Sequence, residues 1–321
     1  MYSSETTSGQ AVINKEEPLA ACCPLCGRNN VSKLLTAPDR FHLRTEQYTL
    51  IQCSSCSCVW LENPPTPAEM PYHYDEDYHH AITSAGSAAN RWHRQRDLIA
   101  SYRQSGSILD IGCSSGGFLS TMKGPAWKLY GIEMEAQTAN EARSNTGAEV
   151  FVGDAADAPF PANSFDVITC FDILEHVYDP RVFLGKVHEW LKPGGVVYTM
   201  LPNISSWEAR VLGSYWYGLE LPRHLFHFSP DSLRSAMTMA GLKEECLYTP
   251  TTSYVERSAN YLFTEFTARL GGAPVAQAKF QKPSFAWRAV RKAMRIGLVA
   301  PYAKIASLRG RGASIEAVFS K

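Results

Sequence analysis

The sequence predicts an α/β protein organised around a doubly wound, mostly parallel sheet, with a small cysteine-rich module in front of it. Three features carry that prediction. From about residue 105 onward, short apolar runs alternate with helix-period segments, the order that builds a parallel sheet covered by helices on both faces. The first run, Ile108-Leu109-Asp110-Ile111, passes into a small-residue turn, Gly112-Cys113-Ser114-Ser115-Gly116-Gly117, and then into an apolar segment. Glycines there permit positive φ and let backbone come close to a ligand, as strand–turn–helix loops for nucleoside ligands require. Upstream, the pairs Cys23-Pro-Leu-Cys26 and Cys53-Ser-Ser-Cys56 have the spacing of metal-binding knuckles.

Composition bounds the rest. At 321 residues the chain has room for two domains, and with 45% hydrophobic and 19% charged residues it can bury a sizeable core. Its 31 basic residues balance 31 acidic ones, which removes any overall bias toward polyanions, so no nucleic-acid partner is expected. The N-terminus, MYSSETTSGQAVINKEE, is polar and acidic and does not read as an export signal. No uncharged apolar run reaches the roughly 18 residues of a membrane span. Nine cysteines in such a chain point to free thiols or metal ligands in preference to disulfides, and to a cytoplasmic location.

In chain order, residues 1–20 lack periodicity and read as a disordered tail. Residues 21–75 read as a zinc-ribbon-like domain. Each CxxC turn offers two thiolates from one side, and Cys23, Cys26, Cys53 and Cys56 together complete a tetrahedron around Zn2+. Cys22 and Cys58 are surplus and able to exchange into the set. Tyr48-Thr-Leu-Ile-Gln52 is a strand entering the second knuckle, and Val59-Trp60-Leu61 one leaving it. A closed four-sulfur site has no open position for substrate, so this zinc is structural. Residues 76–104 read as a linker, with an aromatic, acidic and histidine-rich stretch (72–80) serving as a solvated segment or lid. A basic amphipathic helix, 91–102, follows it.

The core, 105–255, is expected to hold strands at 107–111, 128–133, 148–152, 165–170 and 195–200. Helices are expected at 116–123, 136–145, 173–177, 180–191 and 231–241, the last capped by Ser229 and stopped by Gly241. Residues 243–255 read as an extended arm, 256–311 as a basic, amphipathic helical insertion, and 312–321 as the last core strand, making seven strands in all.

An acid at the end of the second strand of such a sheet holds ribose hydroxyls, and Glu133 stands there. Asp154, followed by Ala155, ends the third strand, where it can accept from an adenine amino group. A fourth strand runs directly into Phe171-Asp172-Ile-Leu-Glu175-His176, and Lys192-Pro-Gly-Gly195 turns into the fifth. No basic residue lies in the glycine turn, which speaks against a nucleoside triphosphate.

With LDIGCSSGGFL, YGIEM, VGDA, FDVITCFDILEHV and LKPGGVVYTMLPN in this order, the stretch 105–250 resembles the class I S-adenosylmethionine-dependent methyltransferases. The leader CPLCG…CSSCSCVWLENPPTPAEM…YDEDY is similar to the zinc-ribbon leader of one subgroup, linked to sugar or secondary-metabolite modification. Members of that subgroup also tend to carry a segment like Pro222-Arg-His224-Leu-Phe-His227-Phe-Ser. The resemblance implies a Rossmann-like seven-stranded sheet with its last strand antiparallel. It also implies that the turn with Gly112, Ser114 and Gly116 faces the amino-acid part of S-adenosylmethionine, with Asp110 ordering the loop. Glu133 would hold the ribose, Asp154 and Ala155 the adenine, and Phe171 would line the pocket. Ser114 stands where many members have Gly, a small and tolerated change.

The acceptor is expected to be a small molecule, a sugar or related metabolite methylated at oxygen or carbon. His176, His224 and His227 are the candidate bases, each with a structural hydrogen-bonded role as its alternative. Tyr215, Trp216 and Tyr217 read either as a stacking wall for the acceptor or as core. From Thr267 to Ile315 there is no acid while basic residues accumulate, and 284–308 reads as a basic amphipathic helix or two. Peripheral contact with an anionic membrane surface, packing on its own core, and a homodimer contact are the readings open there. Two rival functions remain: a nicotinamide-dependent oxidoreductase, and a non-catalytic zinc-ribbon adaptor.

Overall fold

A computed structural model of the chain describes residues 22–74, 92–251, 254–270 and 300–321. The expected tail at 1–20, residues 75–80 of the stretch expected as a solvated segment or lid, and most of the basic 284–308 stretch lie outside the described residues. The strands are β1 (Val31–Pro38), β2 (Gln47–Cys53), β3 (Val59–Leu61), β4 (Gly106–Ile111), β5 (Trp127–Glu133), β6 (Glu149–Val152), β7 (Phe165–Phe171), β8 (Leu191–Pro202), β9 (Phe226–His227), β10 (Lys243–Tyr248) and β11 (Ser314–Ser320). The helices are α1 (His93–Tyr102), α2 (Ala136–Thr146), α3 (Pro180–Trp190), α4 (Trp207–Leu212), α5 (Pro230–Met239), α6 (Tyr254–Leu270) and α7 (Ala300–Leu308).

Seven strands make the main sheet in the order β6-β5-β4-β7-β8-β11-β10. Strands β4 to β8 are parallel, and β11 slots between β8 and β10 antiparallel to both. This is the fold class the sequence predicts. The central strands bury nearly every side chain because helices cover both faces: Ile108, Leu109, Val167, Ile168 and Val197 are fully buried. Helix starts follow local chemistry. Asp179 accepts from the N–H groups of Arg181 and Val182, with Pro180 at the first helical position of α3. Ser229 and Ser232 cap α5 reciprocally, and Gly241 (φ +81°) follows its end.

A second, antiparallel sheet runs β1-β2-β3-β9. Its last strand comes from the excursion after β8 and places Phe226 opposite Trp60 and His227 opposite Val59. One continuous buried apolar cluster therefore joins Cys23, Leu50 and Trp60 to Phe226, Trp190 and Leu201.

Three local expectations differ. The 116–123 helix is a bend followed by a short 3-10 turn, Leu119–Met122, because Gly116 (φ +83°) takes the left-handed conformation and interrupts a right-handed start. Residues 173–177 form a turn, with Asp172 (φ +56°) redirecting the chain as it leaves β7. The arm at 243–255 stays extended only to Tyr248, and α6 begins at Tyr254. Among the described residues, no helix is long and apolar enough to cross a membrane.

Candidate active site

The glycine turn closes over the C-terminal ends of β4 and β5. Gly112 and Cys113 donate to the Ile132 carbonyl (2.8 and 3.0 Å), which folds the loop back against β5. Gly112 has φ +74°, and a Cβ there would lie 2.2 Å from Ile173 Cδ1, so any side chain at this position is strained and displaces Ile173. That contact sets the loop against the turn that carries Glu175 and His176. Ser114, at φ +48°, donates its N–H to Glu133 Oε2 at 3.0 Å, while Glu133 Oε1 accepts from Glu135 N at 3.0 Å.

Glu133, half-buried, thus holds the loop that the sequence assigns to Asp110. The carboxyl of Asp110 turns sideways instead, accepting from Thr169 Oγ1 on β7 at 2.7 Å. Burial pushes its pKa up to about 7, against the lowering effect of the Thr169 hydrogen bond. Asp154 is exposed at the end of β6 and accepts from Ala156 N at 2.7 Å, capping the turn that begins at Ala155. Phe171 stacks on Trp92 (5.1 Å between ring centres) and meets Phe118 and Tyr198 edge-on. The start of the linker helix is thereby fixed beside the glycine turn, where Trp92 would lie 3.4 Å from a Cβ on Gly117.

The three candidate histidines come together. The rings of His176 and His224 are 4.7 Å apart, and those of His224 and His227 6.1 Å. The carbonyl of Glu175 accepts from both Leu225 N and Phe226 N (2.8 and 3.0 Å), which docks the 222–228 segment onto the turn after β7. His176 Nδ1 donates to the Arg223 carbonyl and His224 Nδ1 to the Gly218 carbonyl, each at 3.0 Å. A carbonyl can only accept, so both rings carry their proton on Nδ1 and keep a lone pair on Nε2. Burial holds all three imidazoles below the usual histidine range, and burial holds the Glu175 carboxyl well above the carboxylate range.

Some of this neighbourhood was not signalled by sequence. Tyr74 Oη lies 3.0 Å from His176 Nδ1. Arg223 is fully buried and reaches Asp39, Glu220 and the His73 carbonyl. A lone charge inside Leu-Pro-Arg-His-Leu-Phe was the available hint, since a buried guanidinium needs a partner. Trp216 and Tyr217 are buried, Tyr217 stacking on Tyr261, and Arg40 sits over Tyr215. These aromatics are packed against protein.

In the N-terminal module the sulfurs of Cys23, Cys26, Cys53 and Cys56 all lie within 4.8 Å of one another. Cys23–Cys56 is 3.6 Å and Cys26–Cys53 3.7 Å, close to the edge of about 3.8 Å that four Zn–S bonds of about 2.3 Å give a tetrahedron. Gly27 and Ser57, both at positive φ, close the two knuckles by donating to Cys23 O and Cys53 O. The donor set fits zinc.

A doubly wound sheet with a glycine turn facing a strand-end acid defines a protein that binds a nucleoside-type cofactor. Residues 85–247 match the family model described as a methyltransferase domain, and the chain belongs to that family, a class I S-adenosylmethionine-dependent methyltransferase. It is similar to the ubiquinone biosynthesis O-methyltransferase of Serratia proteamaculans, 26% identical over 215 residues covering 57% of this chain and 89% of that one. The enzyme of the same name from Thiobacillus denitrificans is 30% identical over 192 residues, covering 54% and 81%. Among solved structures, a SAM dependent methyltransferase from Archaeoglobus fulgidus superposes with a TM-score of 0.51 at 16% identity, covering 77% of this chain and 100% of that one, a likeness of fold.

Proposed function

We propose that the methyl donor is seated on the 112–116 turn and that the acceptor is a small hydroxyl-bearing metabolite presented to His176, His224 and His227. The observation that carries this reading is the convergence of three imidazoles on the turn after β7, tied to the loop by the Gly112–Ile173 contact.

S-adenosylmethionine supplies an electrophilic methyl group on a sulfonium sulfur. The residues fit it: a tight turn with Gly112, Ser114 and Gly116 all at positive φ, no cationic side chain in the turn, and carboxylates at the ends of β5 and β6. Gly112, Ser114 and Gly116 face its amino-acid part, Glu133 takes the ribose hydroxyls, and Asp154 with Ala155 takes the adenine. Phe171, backed by Trp92, closes the apolar side. An imidazole of the cluster takes the acceptor's hydroxyl proton. The oxygen then bonds to the methyl carbon as the carbon–sulfur bond breaks, and the electron pair stays on sulfur. Orientation and this proton transfer are the enzyme's contributions.

The names of the relatives, O-methyltransferases, favour oxygen over carbon as the acceptor atom. A sugar or related metabolite of polysaccharide or secondary-metabolite biosynthesis is the acceptor class. Zn2+ on Cys23, Cys26, Cys53 and Cys56 serves as a structural brace for the sheet that β9 completes. A radiolabelled methyl-transfer assay over sugar nucleotides and phenols tests the acceptor: a methylated sugar supports the class, and methylation confined to phenols removes it.

A further inference from the structure

We propose that Glu175, His176 and His224 form a second metal site, one that takes a first-row divalent cation such as Zn2+, Mn2+ or Fe2+. The inference rests on the reading of this face as the acceptor side and adds a ligand that the reading does not require.

The ligand atoms of these three residues lie within 4.8 Å of one another, near twice a metal–nitrogen bond of about 2.1 Å. Three features single them out from an ordinary buried polar cluster. Glu175 is 2% exposed, and neither of its carboxylate oxygens has a hydrogen-bond partner among the described residues. A buried carboxylate without partners is costly, and a cation at hand removes that cost. Both histidines spend Nδ1–H on a backbone carbonyl, Arg223 O for His176 and Gly218 O for His224. Ligating histidines are oriented in this way, so that Nε2 keeps its lone pair for the metal. Finally, the three come from two chain segments held together by the Glu175 carbonyl, which accepts from Leu225 and Phe226, so the set is fixed in place.

Two imidazoles and one carboxylate suit borderline transition metals better than Mg2+. Three protein ligands leave coordination positions open, unlike the closed four-sulfur set at the other end of the small sheet. A cation held there by Glu175, His176 and His224 would have positions free for an acceptor's hydroxyl and would lower its pKa.

The test is a Co2+ titration of the full chain, its cysteine site first filled with a single equivalent of Zn2+, followed by visible absorption, with S-adenosylhomocysteine binding measured in parallel. One equivalent of Co2+ is expected to give d–d bands without a thiolate charge-transfer band. The isosteric Glu175→Gln and the His176→Ala variants are each expected to weaken that binding by at least about tenfold. S-adenosylhomocysteine affinity, retained in both, reports that they fold. Absence of the bands, bands carrying thiolate character, or binding unchanged in both variants overturns the metal site. Loss of S-adenosylhomocysteine binding in the unaltered chain would instead remove the methyltransferase assignment and leave the metal result standing.

Discussion

Nη1 of Arg223 lies 3.6 Å from the carboxylate of Asp39, and neither side chain is exposed to solvent. Asp39 follows β1 in the cysteine-rich module, whereas Arg223 immediately precedes His224. Burial alone would raise the Asp39 carboxyl, but the His42 hydrogen bond and the Arg223 charge outweigh it and hold it below the usual carboxylate range. Arg223 is also 3.4 Å from Glu220 and 3.2 Å from the His73 carbonyl. The N-terminal module is thus locked to the histidine cluster by a buried charge network as well as by β9.

Removing one partner of such a pair leaves a buried charge uncompensated. Asp39→Ala is expected to cost about 3–5 kcal/mol of unfolding free energy, measured as a shift in the urea midpoint. The double variant Asp39→Leu with Arg223→Met should recover part of that loss. A double variant no better than the single one would show that the network, and not the orphaned charge, carries the effect.

Asp110 predicts a pH dependence. Its folded pKa of about 7 stands above the ordinary 3.8, so the folded state keeps a proton that the unfolded chain has lost between those values. Stability therefore falls as pH rises from about 4 to about 7, by up to about 4 kcal/mol, and the full penalty persists above that range. Asp110→Asn retains an acceptor for Thr169 and should flatten this slope in urea unfolding recorded across the range. An unchanged slope would place the ionisation elsewhere.

The cysteine module predicts one thiolate-bound zinc per chain, read after Co2+ substitution as a single equivalent of thiolate charge-transfer absorption and lost in the double variant Cys23→Ser with Cys26→Ser. Because β9 pairs with β3, losing the metal should also lower thermal stability. A zinc-free wild type with an undisturbed melting temperature would remove the structural role.

The donor loop predicts a steric effect. Gly112→Ala forces a side chain into a left-handed backbone at a cost of about 1–2 kcal/mol and drives its Cβ against Ile173. S-adenosylhomocysteine affinity should fall at least about tenfold, the equivalent of 1.4 kcal/mol, in calorimetry. Full affinity in this variant would mean that the loop does not seat the cofactor.

The sheet was legible because its central strands, β4, β7 and β8, are largely buried on both faces and contain continuous apolar runs. Asp179 and Ser229 announce α3 and α5 by capping their first turns. A helix is expected at 173–177 because the alternating order places helices between successive parallel strands, and the segment is a turn instead. The left-handed backbone of Asp172 goes with a long-range contact, its N–H donating to the Met200 carbonyl on β8 at 2.7 Å. Strand β9 has two residues and no periodicity to detect. Asp39, Tyr74 and Arg223 were missed because their significance lies in each other across distant parts of the chain. The histidines were legible as candidates, but their convergence on Glu175 depends on how the 222–228 segment docks.

The central claim is that the Gly112–Gly116 turn, with Glu133, holds S-adenosylmethionine. Isothermal titration with S-adenosylhomocysteine and, separately, with NAD tests it most directly. One S-adenosylhomocysteine site per chain, weakened at least about tenfold in Glu133→Ala, and no heat with NAD is the predicted result. Binding of NAD with no binding of S-adenosylhomocysteine would contradict it.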